Sequence, residues 1–186
     1  MVDEIFNLYE QYGERDYIGE DISQCEHMSQ AAMLAEQQEE PIEIILACFF
    51  HDIGHLIQYD TEKMSHLGVK HHENVGANFL RTHGVPEPIP TLVENHVKTK
   101  KYKIFKSKDY YDTLSSSSRK TLEYQGKKMS EQEAETFESE PLFKWSCKVR
   151  EYDDKAKTVG IDIKPYQYYK NLYIRYIFKK YFRCHL

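Results

Sequence analysis

The sequence predicts an all-α chain folded as one domain. Apolar residues recur at three- and four-residue steps, as from Ile42 to Ile57, no run alternates strictly between apolar and polar, and Pro41, Gly84, Pro86 and Pro88 punctuate the periodic stretches. The spacing places helices over Val2 to Tyr12, Ser23 to Glu36, Pro41 to Ile57, His71 to His83, Ile89 to Lys101, Ser115 to Leu122, Ser130 to Phe137, Leu142 to Lys157 and Pro165 to Phe182. Ser115 to Ser118 reads as a loop entering a helix, because four residues are too few to imply disorder. The last segment carries Tyr166, Tyr168, Tyr169, Tyr173, Tyr176 and Tyr181 beside Leu172, Ile174, Ile177 and Phe178, and reads as an amphipathic helix packed on the bundle, with a dimer contact as the alternative. Lys179, Lys180 and Arg183 complement a helix C-terminus.

With 186 residues, 40% of them hydrophobic, the chain can bury a core without disulfides, and no linker divides residues 1–186. A net charge of −5 supplies no positive field for nucleic acid. Any anionic partner is therefore small and met locally. Cys25, Cys48, Cys147 and Cys184 lack CxxC spacing, and the first residues lack the pattern of a signal peptide, so the expectation is a cytoplasmic protein with reduced thiols. Apolar runs such as Ile44 to Phe50 fall short of the roughly 20 residues that span a bilayer.

His51 and Asp52 interrupt that apolar run, with His55 one turn further on. Burying such a pair without partners costs several kcal/mol, whereas a bound cation satisfies both groups. A hydrogen-bonded pair at a helix end is the competing reading for the pair alone. His27, His72, His96 and Asp153 then lie on four further predicted helices, while His66, His83 and His185 read as surface or satisfied core histidines. Helical spacing puts His55 four after His51, Lys100 four after His96 and Arg150 three before Asp153, on the faces of those residues. Two cations and an imidazole so placed suit an anion, and Ser118, Thr121 and Gln125 add hydrogen bonds from a helix start. For Lys100 and Arg150 taken singly, a solvated helix face is the simpler reading.

His51-Asp52-Ile53-Gly54-His55 reads HDIGH and resembles the HD superfamily, most of whose members are phosphohydrolases. The order H…HD…H…H…D resembles its two-metal subset, which implies that Asp52 bridges two metals, His27, His51 and Asp153 complete one, and His72 with His96 hold the other. Four further stretches resemble the HD-domain mixed-valent di-iron oxygenases, of which the phosphonate-cleaving PhnZ-type enzymes are the known example. They are Tyr17-Ile18-Gly19-Glu20, His72-Glu73 with Gly76-Ala77, His96-Val97 with Lys100 and Tyr102, and LSSSSRKTLEYQGKKMSEQEAETFESEP from Leu114 to Pro141. The last is similar to the family's LS..S..TL..QGG.M...E...F...P, and Val149 to Lys157 to its LRRWDDxAK. Lys127 replaces the second glycine of QGG, and Glu151-Tyr152 replaces Arg-Trp. His72, not His71, is taken as the ligand because Glu73 and Gly76-Ala77 then fall as in the family.

The resemblance implies two iron ions as an Fe(II)/Fe(III) pair and O2 as co-substrate; imidazole and carboxylate with open positions suit iron, and the ligand types also admit manganese or zinc. It implies cleavage of the C–P bond of a small 1-hydroxyphosphonate, such as 2-amino-1-hydroxyethylphosphonate, to glycine and phosphate, and an upstream hydroxylase in the same pathway. Tyr17, His55 and Lys100 are then the catalytic residues, and Glu20, His55, Lys100, Ser118, Thr121, Gln125 and Arg150 bind substrate. Tyr17 would fill an open iron position until substrate arrives, and Glu20 would face the ammonium, a role a quaternary amine serves less well for want of N–H donors. A polar turn before a helix is the alternative for Tyr17 and Glu20. An inositol-oxygenase-like substrate fits the phosphate-binding set poorly. Two other classes stand as alternatives, a metal-dependent phosphohydrolase acting on a nucleotide or phosphate monoester, and a non-catalytic module with a relic site. The first has no use for the stretch from Leu114 to Pro141, and the second should have lost a ligand.

Overall fold

A computed structural model describes residues 1–17, 19–57, 68–126 and 128–182. The fold is all-α: among the described residues there are α1 (Val2–Tyr12), α2 (Gln24–Gln37), α3 (Ile42–Phe50), a 3-10 turn (Ile53–Leu56), α4 (His72–Thr82), α5 (Ile89–Lys106), α6 (Lys108–Thr113), α7 (Ser116–Gln125), α8 (Glu131–Glu138), α9 (Phe143–Lys155) and α10 (Tyr166–Phe182). The extended pairing among them is limited to one bridge, between Asp16 and Ser23. Ile18, His66, Lys127, Arg183, Cys184 and His185 lie outside the described residues. No described helix is long and apolar enough to cross a membrane.

Helices α2, α3, α5 and α9 pack on one another, and α4 closes the group by lying against α5 and the 3-10 turn. α3 is the centre, since every side chain from Ile44 to Phe50 is buried. Each large one contributes about 1.5–3 kcal/mol, enough in sum to carry polar residues at the helix end. α10 covers this core with Tyr169, Tyr173 and Tyr176, and Tyr9, Phe49 and Tyr169 stack in series at 4.5 and 4.3 Å. Lys180 reaches the Glu87 carbonyl. A smaller cluster of Met129, Ala134 and Phe137 seats α8 on α5 beside Tyr102 and Phe105.

Serine caps set where two of the helices around the site begin. Ser23 and Glu26 form a reciprocal capping box at the start of α2, and Ser115 caps α7. The expected helix from Pro41 to Ile57 is instead two pieces. α3 stops at Phe50, His51 turns its Nδ1 to the Cys48 carbonyl at 2.7 Å, and the chain tightens into the 3-10 turn. Gly54 explains the tightening: a Cβ there would stand 2.0 Å from the His72 carbonyl oxygen. α5 runs on to Lys106, past the expected end at Lys101, and α6 was not expected.

Candidate metal centre

Five elements converge on one buried point. His27 comes from α2, His51 and Asp52 follow α3, His72 is the first residue of α4, His96 lies mid-α5 and Asp153 near the end of α9. All six are at most 5% exposed. His71, in contrast, caps α4 in the left-handed region with a half-exposed side chain. The register is set by the glycines that join the 3-10 turn to α4. Gly54 lies under the His72 carbonyl, and a Cβ on Gly76 would meet the Gly54 nitrogen at 3.1 Å.

Asp52 divides the imidazoles into two pairs. Its Oδ2 faces His51 Nε2 at 3.4 Å and His27 Nε2 at 3.7 Å, while Oδ1 faces His72 Nε2 at 3.2 Å and His96 Nε2 at 3.5 Å. Asp153 Oδ1 joins the first pair, 3.3 Å from His27 and 3.8 Å from His51. Within pairs the Nε2 atoms approach to 3.0 Å for His27 and His51 and 3.1 Å for His72 and His96. His27 Nδ1 lies 2.8 Å from the Ala156 carbonyl and His51 Nδ1 2.7 Å from that of Cys48, so each donates its Nδ1–H. In the neutral rings both Nε2 lone pairs then point at each other, which is repulsive unless a cation lies between them. Donor separations of 3.0 to 3.8 Å are those of ligands about 2.1 Å from a shared ion. The residues thus fit two metal ions, to each of which Asp52 would offer one oxygen. Protons meet the same need in part: burial opposes charge on His51, but Asp52 and Asp153 outweigh it and push its pKa to about 9.

Arg150 backs the first pair. Its Nη1 donates to Asp153 Oδ2 at 2.7 Å, its Nε to Asp154 at 2.9 Å and Tyr110 at 3.1 Å, and Nη2 also reaches Asp154. Burial disfavours the Asp153 carboxylate, yet Arg150 and His51 hold its pKa well below the usual range.

A cavity of about 50 Å³ opens beside Asp52, lined by Tyr17, His55, Lys100, Ser118, Thr121 and Gln125, with Arg150 at its edge. Its lining of an amine, an imidazole, hydroxyls and an amide suits a small anion. Lys100 Nζ donates to Thr121 Oγ1 at 3.2 Å, and burial, aided by Arg150, lowers its pKa to about 7. His55 lies close enough to Asp52 and His72 to join a metal cluster. However, its Nδ1 accepts the Val69 N–H at 3.1 Å, and burial, with the charge of His72, pushes its pKa well below the ordinary value. The neutral ring therefore carries its proton on Nε2 and offers a donor, not a lone pair. Tyr17 stacks on His27 at 3.9 Å, and burial, then Asp52 and Asp153, keep its phenol protonated. Glu20 does not line this cavity. It lies in an outer acidic groove with Glu14, Asp16 and Asp21, with Oε1 buried and unpartnered.

Sequence reasoning missed Gln24 and Ser117, which also line the cavity, and Lys157, whose Nζ donates to Ser115 and Ser118 at 3.2 Å. Gln24 precedes His27 by three, a spacing that could have revealed it. Ser117 lies against the Gly19 loop, a contact no local pattern encodes. His83 is a satisfied histidine, donating to the Phe79 carbonyl. A larger cleft of about 610 Å³ between α4, α5 and α8 holds none of the expected site residues but has Glu73 in its wall.

The HD domain family matches residues 25–138, a range holding five of the six converging residues, with Asp153 beyond it. The chain is 49% identical over 178 residues to an uncharacterized protein of Acanthamoeba polyphaga mimivirus, covering 95% of this chain and 81% of that one. It is 31% identical over 180 residues to the glycine-betaine-forming 1-hydroxy-2-(trimethylamino)ethylphosphonate dioxygenase of Leisingera caerulea, covering 96% of this chain and 91% of that one. It is 34% identical over 173 residues to the hydroxymethylphosphonate dioxygenase of Gimesia maris, covering 90% and 84%. The chain belongs to the HD-domain family, in the group that these two phosphonate dioxygenases represent.

Proposed function

We propose that this protein is a di-iron, O2-dependent oxygenase that cleaves the C–P bond of a small 1-hydroxyphosphonate to a carboxylic acid and phosphate. The observation that carries this reading is the pairing of four imidazoles about the two oxygens of Asp52, beside a small cavity edged by Lys100, Arg150 and hydroxyl groups. His27, His51 and Asp153 would hold one ion, His72 and His96 the other, and Asp52 both. Such an iron pair supplies O2 activation, which no side chain here can perform.

The chain's own residues bind and orient. Lys100, Ser118, Thr121 and Gln125 receive the anionic end, and His55 donates its Nε2–H toward it. Arg150 keeps Asp153 ionised and oriented. Tyr17, lying flat on His27, closes the cavity against water. Gln24 Oε1 lines the same space without a partner, and its amide orientation is set by Nε2 donating to the Asp16 carbonyl. That oxygen suits an ammonium bearing N–H groups, such as that of 2-amino-1-hydroxyethylphosphonate. A trimethylammonium would leave it unpaired.

The reaction balances with one O2 per phosphate and glycine and needs no external reductant. The test is to load the protein with iron anaerobically, add this substrate and admit O2, following O2, phosphate and glycine together. Equal stoichiometry supports the proposal. Phosphate release from ordinary esters without O2 would assign the phosphohydrolase activity instead.

A further inference from the structure

The four imidazoles around Asp52 are not anchored alike. His27, His51 and His96 each have Nδ1 against a main-chain carbonyl, at 2.8, 2.7 and 2.6 Å. His72 Nδ1 is buried and has no hydrogen-bond partner among the described residues. Glu73 Oε2 lies 3.7 Å from it and is likewise buried and unpartnered. Glu73 is 7% exposed, so this oxygen has no recourse to bulk water. Its other oxygen accepts from Asn74 Nδ2 at 3.3 Å and lies 3.7 Å from His71 Nδ1, which orients the carboxylate. A buried acceptor and a buried donor, each without a partner and one short movement apart, are complementary.

We propose that Glu73 is a positioning residue of the metal centre: its Oε2 accepts the Nδ1–H of His72 and so holds the Nε2 lone pair toward Asp52 and His96. This rests on the metal pair proposed above. The main chain of His72 is fixed under Gly54, so the gap closes by rotation of side chains alone. The two ion positions then differ in their outer layer. Behind His72 stands an anion, which makes the imidazole a stronger donor, whereas behind Asp153 stands the Arg150 cation, which makes that carboxylate a weaker one. Glu73 therefore strengthens the position of His72 and His96 and not the other.

The test titrates ion-free wild type, Glu73→Ala, Glu73→Gln and Glu73→Asp with Zn²⁺ by calorimetry, with ion content measured after gel filtration. Wild type should bind two ions in two resolved steps. Glu73→Ala should weaken one of the two steps by about 10- to 100-fold and leave the other unchanged, Glu73→Asp should restore most of the loss, and in zinc-loaded wild type the His72 Nδ1–H should give a slowly exchanging NMR resonance absent from Glu73→Ala. If Glu73→Ala does not fold, Glu73→Gln carries the same comparison, with a smaller loss on the same step. Two ions bound by wild type and by the variants with equal affinities overturn the role of Glu73 alone. Fewer than two ions in wild type overturn the metal pair and this inference with it.

Discussion

Replacing Gly54 by alanine should remove one ion of the pair and spare the other. A Cβ at position 54 would stand 2.0 Å from the His72 carbonyl oxygen, 2.8 Å from its carbon and 2.9 Å from its Cα. Ordinary contact needs about 3.5 Å, so the 3-10 turn and α4 must part by about 1.5 Å. Gly76 packs against the same seam from α4, which leaves no slack for the shift. Metal–ligand distances tolerate only about 0.2 Å, and His72 leads α4, 3.2 Å from Asp52 in the present arrangement. Neither His27, His51 nor Asp153 lies on α4, so their position is untouched. Overpacking of this kind costs about 1–3 kcal/mol, a fall of roughly 2–12 °C in Tm for a chain of this size. Thermal unfolding and ion content after anaerobic loading are the assays. A folded variant that still holds two ions with wild-type affinity refutes the claim that the glycine seam sets the His72 register.

Other perturbations separate the remaining roles. His55→Gln should keep both ions and lose about 10- to 100-fold in turnover, the worth of one hydrogen bond to a charged group; loss of an ion would make His55 a ligand. Arg150→Leu leaves Asp153 buried without its cation, while Asp154 keeps Lys103 at 3.5 Å, and should cost about 3–5 kcal/mol by denaturant unfolding; a change under about 1 kcal/mol would show that the ion pair is not what holds α9 in place. Lys100, with a pKa of about 7, is charged below that pH and neutral above it, so sulfate, whose own charge is constant, should bind the loaded protein more weakly as pH rises through 7. Lys100→Met should abolish that step, and a step that survives would locate the titrating group elsewhere.

The six converging residues were legible from their order, which resembles that of two-metal HD proteins, and less so from any one of them alone. His27, His96 and Asp153 sit in periodic helical stretches where a buried polar group needs a reason, and HDIGH ends the most apolar run of the chain. The break after Phe50 was not legible, because it answers a contact with α4 that only the folded chain makes. The same holds for Ser117, placed by the Gly19 loop, and for Lys157, placed by Ser115 and Ser118. Lys100 and Arg150 were expected to project alike toward an anion, but Arg150 is occupied by Asp153 and Asp154, whereas Lys100 among the described residues bonds the neutral Thr121 hydroxyl in the cavity wall. Counting charges on a helix face does not show which of them is already neutralised.

The central claim is that Asp52 joins two ions, and anomalous scattering from a crystal of the iron-loaded protein tests it most directly. The account predicts two peaks roughly 3.5–4 Å apart, one within bonding distance of His27, His51 and Asp153, the other of His72 and His96, with one oxygen of Asp52 on each. A single peak, or a second peak bound by other residues, would contradict it.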